Sequence, residues 1–231
     1  MILFDSIDIR AVAAVDIEDI KVSGIQLQQT TRQRAIAAGA DFVRSRAGGR
    51  TVTVTFALLK QDRAARAAAL DAISAWAKTG KEYKLEIIGH PGKYLMAVCT
   101  EKPSPSLRQW WESKLRLVFT CISDPYWIGS EKSVACGTAF KVLGDAVPLM
   151  RIERTLTGAA SNQSYTDGTN TMTFSTVPAG DMTIDLNRQT AAVGTTSIMQ
   201  YYNVNSKFIQ PRTGSMTITG TGTVKYRERF E

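Results

Sequence analysis

Apolar and polar residues alternate through the stretch from Glu112 to Trp127, and this pattern predicts the strand that divides the chain. One face of the stretch carries the apolar side chains Leu115, Leu117, Phe119 and Cys121. Alternation with a period of two residues is typical of a half-buried strand. Asp124-Pro125 must end this strand because proline has no backbone donor. Two aromatic residues follow, Tyr126 and Trp127, and we expect the first domain to end there.

The residues before this boundary predict a sheet crossed by one helix. Strands are expected at Ile2–Phe4, Ile7–Ile9, Ile17–Leu27 (broken at Ser23-Gly24), Thr51–Leu58, Glu82–Ile88 and Lys93–Thr100. A helix is predicted over Asp62–Thr79, with Asp62 as its N-cap and Gly80 at C′. Its apolar stripe consists of Ala69, Leu70, Ile73, Trp76 and Ala77. That stripe should pack across the sheet.

The residues after the boundary are rich in threonine and glycine and show only strand patterns. Strands are predicted at Val134–Val142, Leu149–Leu156, Asn170–Phe174, Met182–Leu186, Ser215–Thr219 and Thr223–Arg229. Many short strands separated by turns indicate an antiparallel sandwich. We therefore expect a mainly β protein of 231 residues with two domains, 1–127 and 128–231.

The segment from Thr30 to Arg50 has a charge density found nowhere else in the chain. It carries Arg32, Arg34, Arg44, Arg46 and Arg50 against a single acid, Asp41. A long loop or a protruding hairpin is predicted, since the segment lacks clear periodicity. Unpaired buried guanidinium groups would each cost several kcal/mol, so the segment is expected to meet solvent, an acidic neighbour or nucleic acid. Sequence-specific DNA reading is not expected, because no recognition helix accompanies the arginines.

Overall composition sets the class of protein. The net charge is +7, most of it in the first domain, which suits acidic or phosphate-bearing partners. No apolar run approaches the ~20 residues of a spanning helix. The N-terminus shows no secretory signal. A protein made in the cytoplasm, without membrane association, is therefore expected.

The residues offer little for catalysis or for metal binding. The single histidine, His90, lies in a Gly-His-Pro-Gly turn, and no GxSxG motif occurs. Asp181 and Asp185 share one face of a predicted strand and could hold a cation or act on a glycosidic bond, but a turn end and a solvated carboxylate explain them more simply. The three cysteines are Cys99, Cys121 and Cys136. They form no zinc motif, and the first two are expected to be small buried hydrophobes. We expect no enzyme, no cofactor and no metal.

Two further sets of residues are candidates for interaction. Trp110 and Trp111 lie near Arg108 and Lys114, and adjacent strand residues face opposite ways, so we expect one tryptophan in the core and the other at a subunit contact. Stacking on bases or sugars is the alternative. The second set is a basic strand face that we expect to be solvated; it consists of Lys225, Arg227 and Arg229.

Taken in order, these stretches resemble the distal tail protein (Dit) of bacteriophages with long flexible tails. The first-domain likeness lies in RAGGRTVTVTFALL, the helix Asp62–Thr79, GKEYKLEIIGHPGKYLMAV and KLRLVFTCISDPYW. The second-domain likeness lies in GTAFKVLGDAVPLMRIE, TDGTNTMTFSTVPAGDMTIDLNRQTAAV and SKFIQPRTGSMTITGTGTVKYRERFE. The serial order of these stretches, more than any single motif, carries the resemblance.

The resemblance implies a non-enzymatic hub in the tail tip of a siphophage or prophage. In that family the first domain is a β-sandwich with one helix, and six copies form a ring between the tail-tube protein and the tail-associated hub or tip protein. The second domain is a galectin-like β-sandwich, which in some members carries receptor-binding or side-fibre parts or binds sugar. The virion location, the hexamer and these partners are thus expected, with DNA only as the passing genome.

The resemblance also gives the arginine-rich segment two candidate roles, a contact with the next subunit of the ring or a border of the DNA channel. The site candidates are therefore Arg32, Arg34, Arg44, Arg46, Arg50, Trp110 and Trp111. Two other functions remain as alternatives: a carbohydrate-binding adhesin that uses the galectin-like domain, and a cell-wall hydrolase. The second domain has no histidine, and no tryptophan follows Trp127, which leaves few residues for a lectin-type sugar site.

Overall fold

The computed structural model describes residues 1–33, 40–59, 62–103 and 114–231, including all their side chains except those of residues 27–33 and 40–47. The described chain is mainly β and antiparallel, which confirms the predicted fold class. It forms two compact units, residues 1–127 together with Glu231, and residues 128–230.

Unit 1 is built on one antiparallel set of strands. Its strands are β1 Ile2–Phe4, β2 Ile7–Asp8, β3 Val15–Val22, β4 Leu27–Gln33, β5 Ala40–Ala47, β6 Arg50–Leu58, β7 Tyr83–Ile87, β8 Lys93–Glu101 and β9 Lys114–Cys121. Neighbours follow the order β2-β1-β7-β8-β9-β6-β3. The first half of β8 pairs with β7 through Tyr83 and Ala97, and its second half pairs with β9 through Val98 and Thr120. Strand β8 therefore links the two halves of the strand order. A short strand, β10 Trp127–Gly129, follows at the unit boundary.

The core of unit 1 comes from the predicted alternation. The inward residues of β9 are all buried: Leu115, Leu117, Phe119 and Cys121. Strand β6 alternates strictly between buried and half-buried positions along its whole length. These two strands pair in register, with Val52 opposite Phe119 and Val54 opposite Leu117. Their apolar faces thus form one continuous buried surface.

Two helices, not one, occur in the described residues of unit 1. The short helix α1, Ile9–Val12, begins after Asp8, whose carboxylate accepts from Arg10 N at 3.0 Å. Helix α2 spans Arg63–Trp76, and Asp62 caps it as predicted by accepting from Ala65 N at 2.8 Å. The prediction that α2 continues to Thr79 is wrong.

The early end of α2 has a tertiary cause. Trp76 is buried and donates from its indole nitrogen to Ile7 O at 3.0 Å, and its ring lies 5.6 Å from Phe4 and 6.1 Å from Phe119. Ala77, rather than a residue before Gly80, is the C-cap. The packing of Trp76 therefore fixes the last turn, which the local sequence did not reveal.

Strands β4 and β5 form the hairpin that was one of the two structures predicted for the arginine-rich segment. They pair antiparallel from Leu27 with Ala47 to Gln33 with Ala40. Within the described residues these two strands pair only with each other. The predicted loop alternative is therefore wrong for 30–33 and 40–47.

Unit 2 is an antiparallel β structure with one core. Its strands are β11 Lys132–Ala135, β12 Ala139–Val142, β13 Ala146–Leu156, β14 Ala160–Thr166, β15 Thr171–Val177, β16 Gly180–Asp185, β17 Thr190–Val193, β18 Thr196–Ser197, β19 Gly214–Thr217 and β20 Thr223–Phe230, with a 3-10 helix at Met199–Tyr201. The main sheet has the order β18-β17-β16-β13-β20-β11, and two further pairs, β12–β19 and β14–β15, contribute side chains to the same core.

Two sequence predictions for unit 2 need correction. The single strand expected over Val134–Val142 is two strands, because Gly137 has a φ of 87° and turns the chain between them. Strands β14, β17 and β18 were not predicted. Most positions of β14 are at least partly exposed and polar, so it shows no apolar alternation.

Candidate functional site

The arginine-rich segment is divided between two kinds of position. Three of the arginines lie in the β4–β5 hairpin. Their partners across the two strands are Asp41 for Arg32, Thr30 for Arg44 and Gln28 for Arg46. Arg34 lies outside the described residues. Arg50 is the first residue of β6. Arg50 therefore lies on a different strand from the three arginines of the described hairpin.

Arg50 is buried, with only 4% of its surface exposed. Its guanidinium carbon lies 6.0 Å from the centre of the Trp127 ring, and within the described residues its Nε and Nη1 have no hydrogen-bond partner. Burial lowers the pKa of Arg50, while Cys121, Glu231 and Tyr126 act in the opposite direction. The expectation that no part of this segment is core is wrong for Arg50. Alternation along β6 puts it on the same inward face as Val52.

Trp127 anchors the end of unit 1 by contacts with two basic side chains. It is 3% exposed, and the His90 ring stacks on it with ring centres 4.0 Å apart and planes inclined by 26°. Desolvation lowers the pKa of His90, and the positive charges of Lys93 and Arg50 lower it further. The histidine of the Gly-His-Pro-Gly turn thus covers a buried tryptophan.

A groove lined by small side chains lies between α1 and α2. Its volume is about 440 Å³, and its lining consists of Arg10, Ala11, Val12, Ala13, Ala14, Ala65, Ala68, Ala69 and Ala72. We call it the alanine groove. Leu59 is 63% exposed and donates from its backbone to Ala14 O at 3.0 Å, so it adds apolar surface beside the groove. The sequence carried a signal for this surface, since Ala65, Ala68 and Ala72 lie beside the core-facing stripe of α2, which shares Ala69 with the groove.

The basic face of β20 carries counter-charges that were not predicted. Lys225 Nζ lies 2.6 Å from Glu153 Oε2, and Arg227 Nη2 lies 3.3 Å from Glu131 Oε2. Arg229 donates to Val147 O at 3.0 Å. The three residues are half-buried rather than fully solvated. Pairing of β13 with β20 brings Glu153 to Lys225, and pairing of β11 with β20 brings Glu131, which precedes β11, to Arg227.

The two aspartates considered for catalysis accept hydrogen bonds from different neighbouring residues. Asp181 accepts from Thr155 Oγ1 at 2.7 Å, and Asp185 accepts from the backbone of Asn187 at 3.0 Å and of Arg188 at 2.9 Å. Both roles agree with the simpler interpretation of the sequence. In the part of the chain that the structure describes, no three His, Cys, Asp or Glu side chains group to hold a metal ion.

The predicted burial of two cysteines is confirmed. Cys99 and Cys121 are buried and unbridged. Burial raises the pKa of Cys121 to about 12. Trp110 and Trp111 lie outside the described residues, so their roles stay predictions. None of the described helices is long and apolar enough to cross a membrane.

Comparison with known proteins relates this architecture to phage tail proteins. No protein-family profile and no curated protein matches the chain. The Dit protein of phage SPP1, a paradigm of the hub adsorption apparatus in phages that infect Gram-positive bacteria, is similar in structure with a TM-score of 0.77 and 16% identity, over 100% of this chain and 98% of that one. A chain of the phage P2 baseplate matches with a TM-score of 0.49 and 9% identity, over 96% and 92% of the two chains. The predicted resemblance is confirmed at the level of the fold: this chain has the fold of the SPP1 Dit protein.

Proposed function

We propose that this chain is a non-enzymatic structural hub in the tail tip of a siphophage or prophage, where it joins the tail tube to the host-recognition apparatus. The observation that supports the proposal is the match in fold to SPP1 Dit over practically the full length of both chains. The match covers both units of one known hub protein. Such a match supports a common function more strongly than a match to one widespread domain would.

The proposed hub is a ring of six copies, formed through unit 1. A ring needs two different surfaces that fit each other, because each copy contacts its neighbours head to tail. Unit 1 offers the alanine groove with exposed Leu59 beside it, and the β4–β5 hairpin. Small side chains allow another backbone to approach closely, and exposed apolar surface favours burial. We assign the groove to the subunit contact.

Light scattering tests the ring directly. The purified chain should have the mass of six copies, or reach that mass at high concentration or with the tail-tube protein. Ala68 lies in the groove, and the neighbouring Ala67 is exposed outside it. Ala68→Arg should therefore prevent ring formation, whereas the control Ala67→Arg should form rings normally. A monomer under all these conditions would contradict the ring, and equal assembly of both variants would contradict the groove contact.

The proposed partners are the tail-tube protein, the tail-associated hub or tip protein, and receptor-binding or side-fibre proteins. The chain would be part of the virion after assembly in the bacterial host. Co-purification with the tail-tube protein should yield a complex that the Ala68→Arg variant does not form. An adhesin would instead bind glycans at micromolar affinity on an array without assembling, and a hydrolase would clear cell wall in a zymogram.

A further inference from the structure

Unit 2 contains a surface pocket that is lined largely by arginines. Its volume is about 290 Å³, and Leu149 and Met150 contribute its apolar part. Three arginines line it from three different elements: Arg151 on β13, Arg227 on β20 and Arg188 in the turn after β16. We call it the arginine pocket. Asp185 is the acid in the lining, and Glu131 and Glu153 contact Arg151 and Arg227 from outside it. With Lys225, which pairs with Glu153, the cluster has four positive and three negative charges, a net charge of +1.

The counter-charges of two of these arginines lie outside the lining. Arg151 Nη1 lies 2.8 Å from Glu131, and its Nε lies 2.6 Å from Glu153. Glu131 also pairs with Arg227 at 3.3 Å. Neither glutamate lines the pocket. These ion pairs hold the two guanidinium groups in place, so a ligand would lose less free energy to ordering them.

The third arginine is open to a ligand. The Arg188 side chain is 83% exposed, and its Nε lies 3.8 Å from Asp185 Oδ2, which is too long for a hydrogen bond. The turn that carries it is rigid, because Asn187 accepts from Met150 N at 2.7 Å and donates to Pro148 O at 2.8 Å. Arg188 therefore shares the pocket lining with Arg151 and Arg227 and exposes its guanidinium group there.

We propose that the arginine pocket binds a phosphate monoester, a role beyond the hub function. A phosphate monoester carries a charge of about −1.5 to −2 at pH 7 and three acceptor oxygens. The net positive charge of the cluster attracts this anion, and the three oxygens match the three guanidinium groups, each of which has five N–H donors. A carboxylate would offer only two oxygens and one charge. The ester could belong to a phosphorylated sugar or to a phosphorylated side chain.

Titration of the whole chain, followed by amide chemical shifts, tests the proposal. Glucose 6-phosphate and phosphoserine are the probes, and glucose and serine are their neutral controls. At least one ester should bind saturably, with a dissociation constant below about 10 mM. Its binding should weaken as salt is added. Binding of only one ester identifies the source of the phosphate.

Substitutions then locate the binding. Arg188→Gln should weaken it about tenfold, because a hydrogen-bonded ion pair is lost, and Arg227→Gln should do the same. Lys207→Gln removes one charge from an exposed position of unit 2 outside the pocket and should leave binding unchanged. No saturable binding of either ester, or equal weakening in all three variants, would overturn the proposal. Because Arg188 is so exposed, its variant should melt like the original chain.

Discussion

His90 stacks on Trp127 with ring centres 4.0 Å apart, although the two residues lie in different parts of the chain. The stack covers one of the most buried aromatic side chains of unit 1, and Arg50 lies 6.0 Å from the same ring. A neutral imidazole suits this place better than an imidazolium, because burial lowers the pKa of His90 and because Lys93 and Arg50 already bring positive charge. The stability of the stack is therefore expected to depend on pH.

The first prediction concerns this pH dependence. The pKa of His90 is lower in the folded protein than in the unfolded chain, so the unfolded chain binds more protons between the two values. The contribution of His90 to stability is then present above the unfolded pKa and lost as pH falls through the folded one. Thermal unfolding from about pH 8 to about pH 5 should show a falling Tm.

His90→Phe is the matched control for that measurement. It keeps an aromatic ring on Trp127 but does not titrate, so the fall in Tm should be smaller than in the original chain. An identical pH profile for both proteins would show that the loss of stability comes from other groups.

The second prediction separates the volume of Arg50 from its charge. Arg50→Met keeps most of the buried volume and removes a desolvated charge, so its free energy of unfolding should lie within about 1 kcal/mol of the original or above it. Arg50→Ala leaves a cavity and should be less stable than Arg50→Met by about 2 kcal/mol. Denaturant titration measures both. Because Arg50 is buried, the Arg50→Met variant should also assemble normally. A variant that no longer forms rings would instead indicate that Arg50 takes part in the subunit contact.

The third prediction concerns the hairpin arginines. We propose that Arg44 and Arg46 contact carboxylates of the next subunit, since guanidinium groups pair well with carboxylates. Charge reversal of both to Glu should abolish the ring and leave the Tm of the monomer nearly unchanged. The control Lys141→Glu with Lys207→Glu makes the same change of charge on exposed residues of unit 2. Rings that persist in the Arg44 and Arg46 variant would eliminate this contact and favour the channel role.

The fourth prediction concerns Trp110 and Trp111, for which we expect different roles. Trp110→Ala and Trp111→Ala should not be equivalent, because adjacent strand residues face opposite ways. One variant should unfold unit 1, at a cost of about 3–5 kcal/mol for a core tryptophan, and the other should only disperse the ring. Circular dichroism and light scattering distinguish these outcomes. If both variants fold and form rings, neither tryptophan is needed for the subunit contact.

The fifth prediction is that the two units fold independently. Cleavage between Pro125 and Lys132 should release two folded pieces, because compact units with their own cores commonly fold alone. The isolated fragment Ser130–Glu231 should unfold cooperatively with heat. A fragment without a cooperative transition would place the true domain boundary elsewhere.

Local patterns alone predicted the inward face of β9 and the existence of β6, because a strand alternates its side chains whatever it packs against. They also predicted the start of α2, since the Asp62 cap forms within one turn of helix. The same alternation placed Arg50 on the inward face beside Val52, but its charge led to the opposite expectation. Here the strand period was the better guide, because Trp127 provides a ring for the guanidinium to lie against.

The tertiary structure decided whatever depends on residues far apart in the chain. The end of α2 follows from the bond between Trp76 and Ile7 O, and the alanine groove exists only because α1 lies beside α2. In unit 2, the pairing of β13 with β20 sets Arg151 beside Lys225 and gives both a shared glutamate, Glu153. From the sequence alone, only the charges that neighbour one another along the same strand can be identified. Their partners across strands are set by sheet register, which the whole core determines.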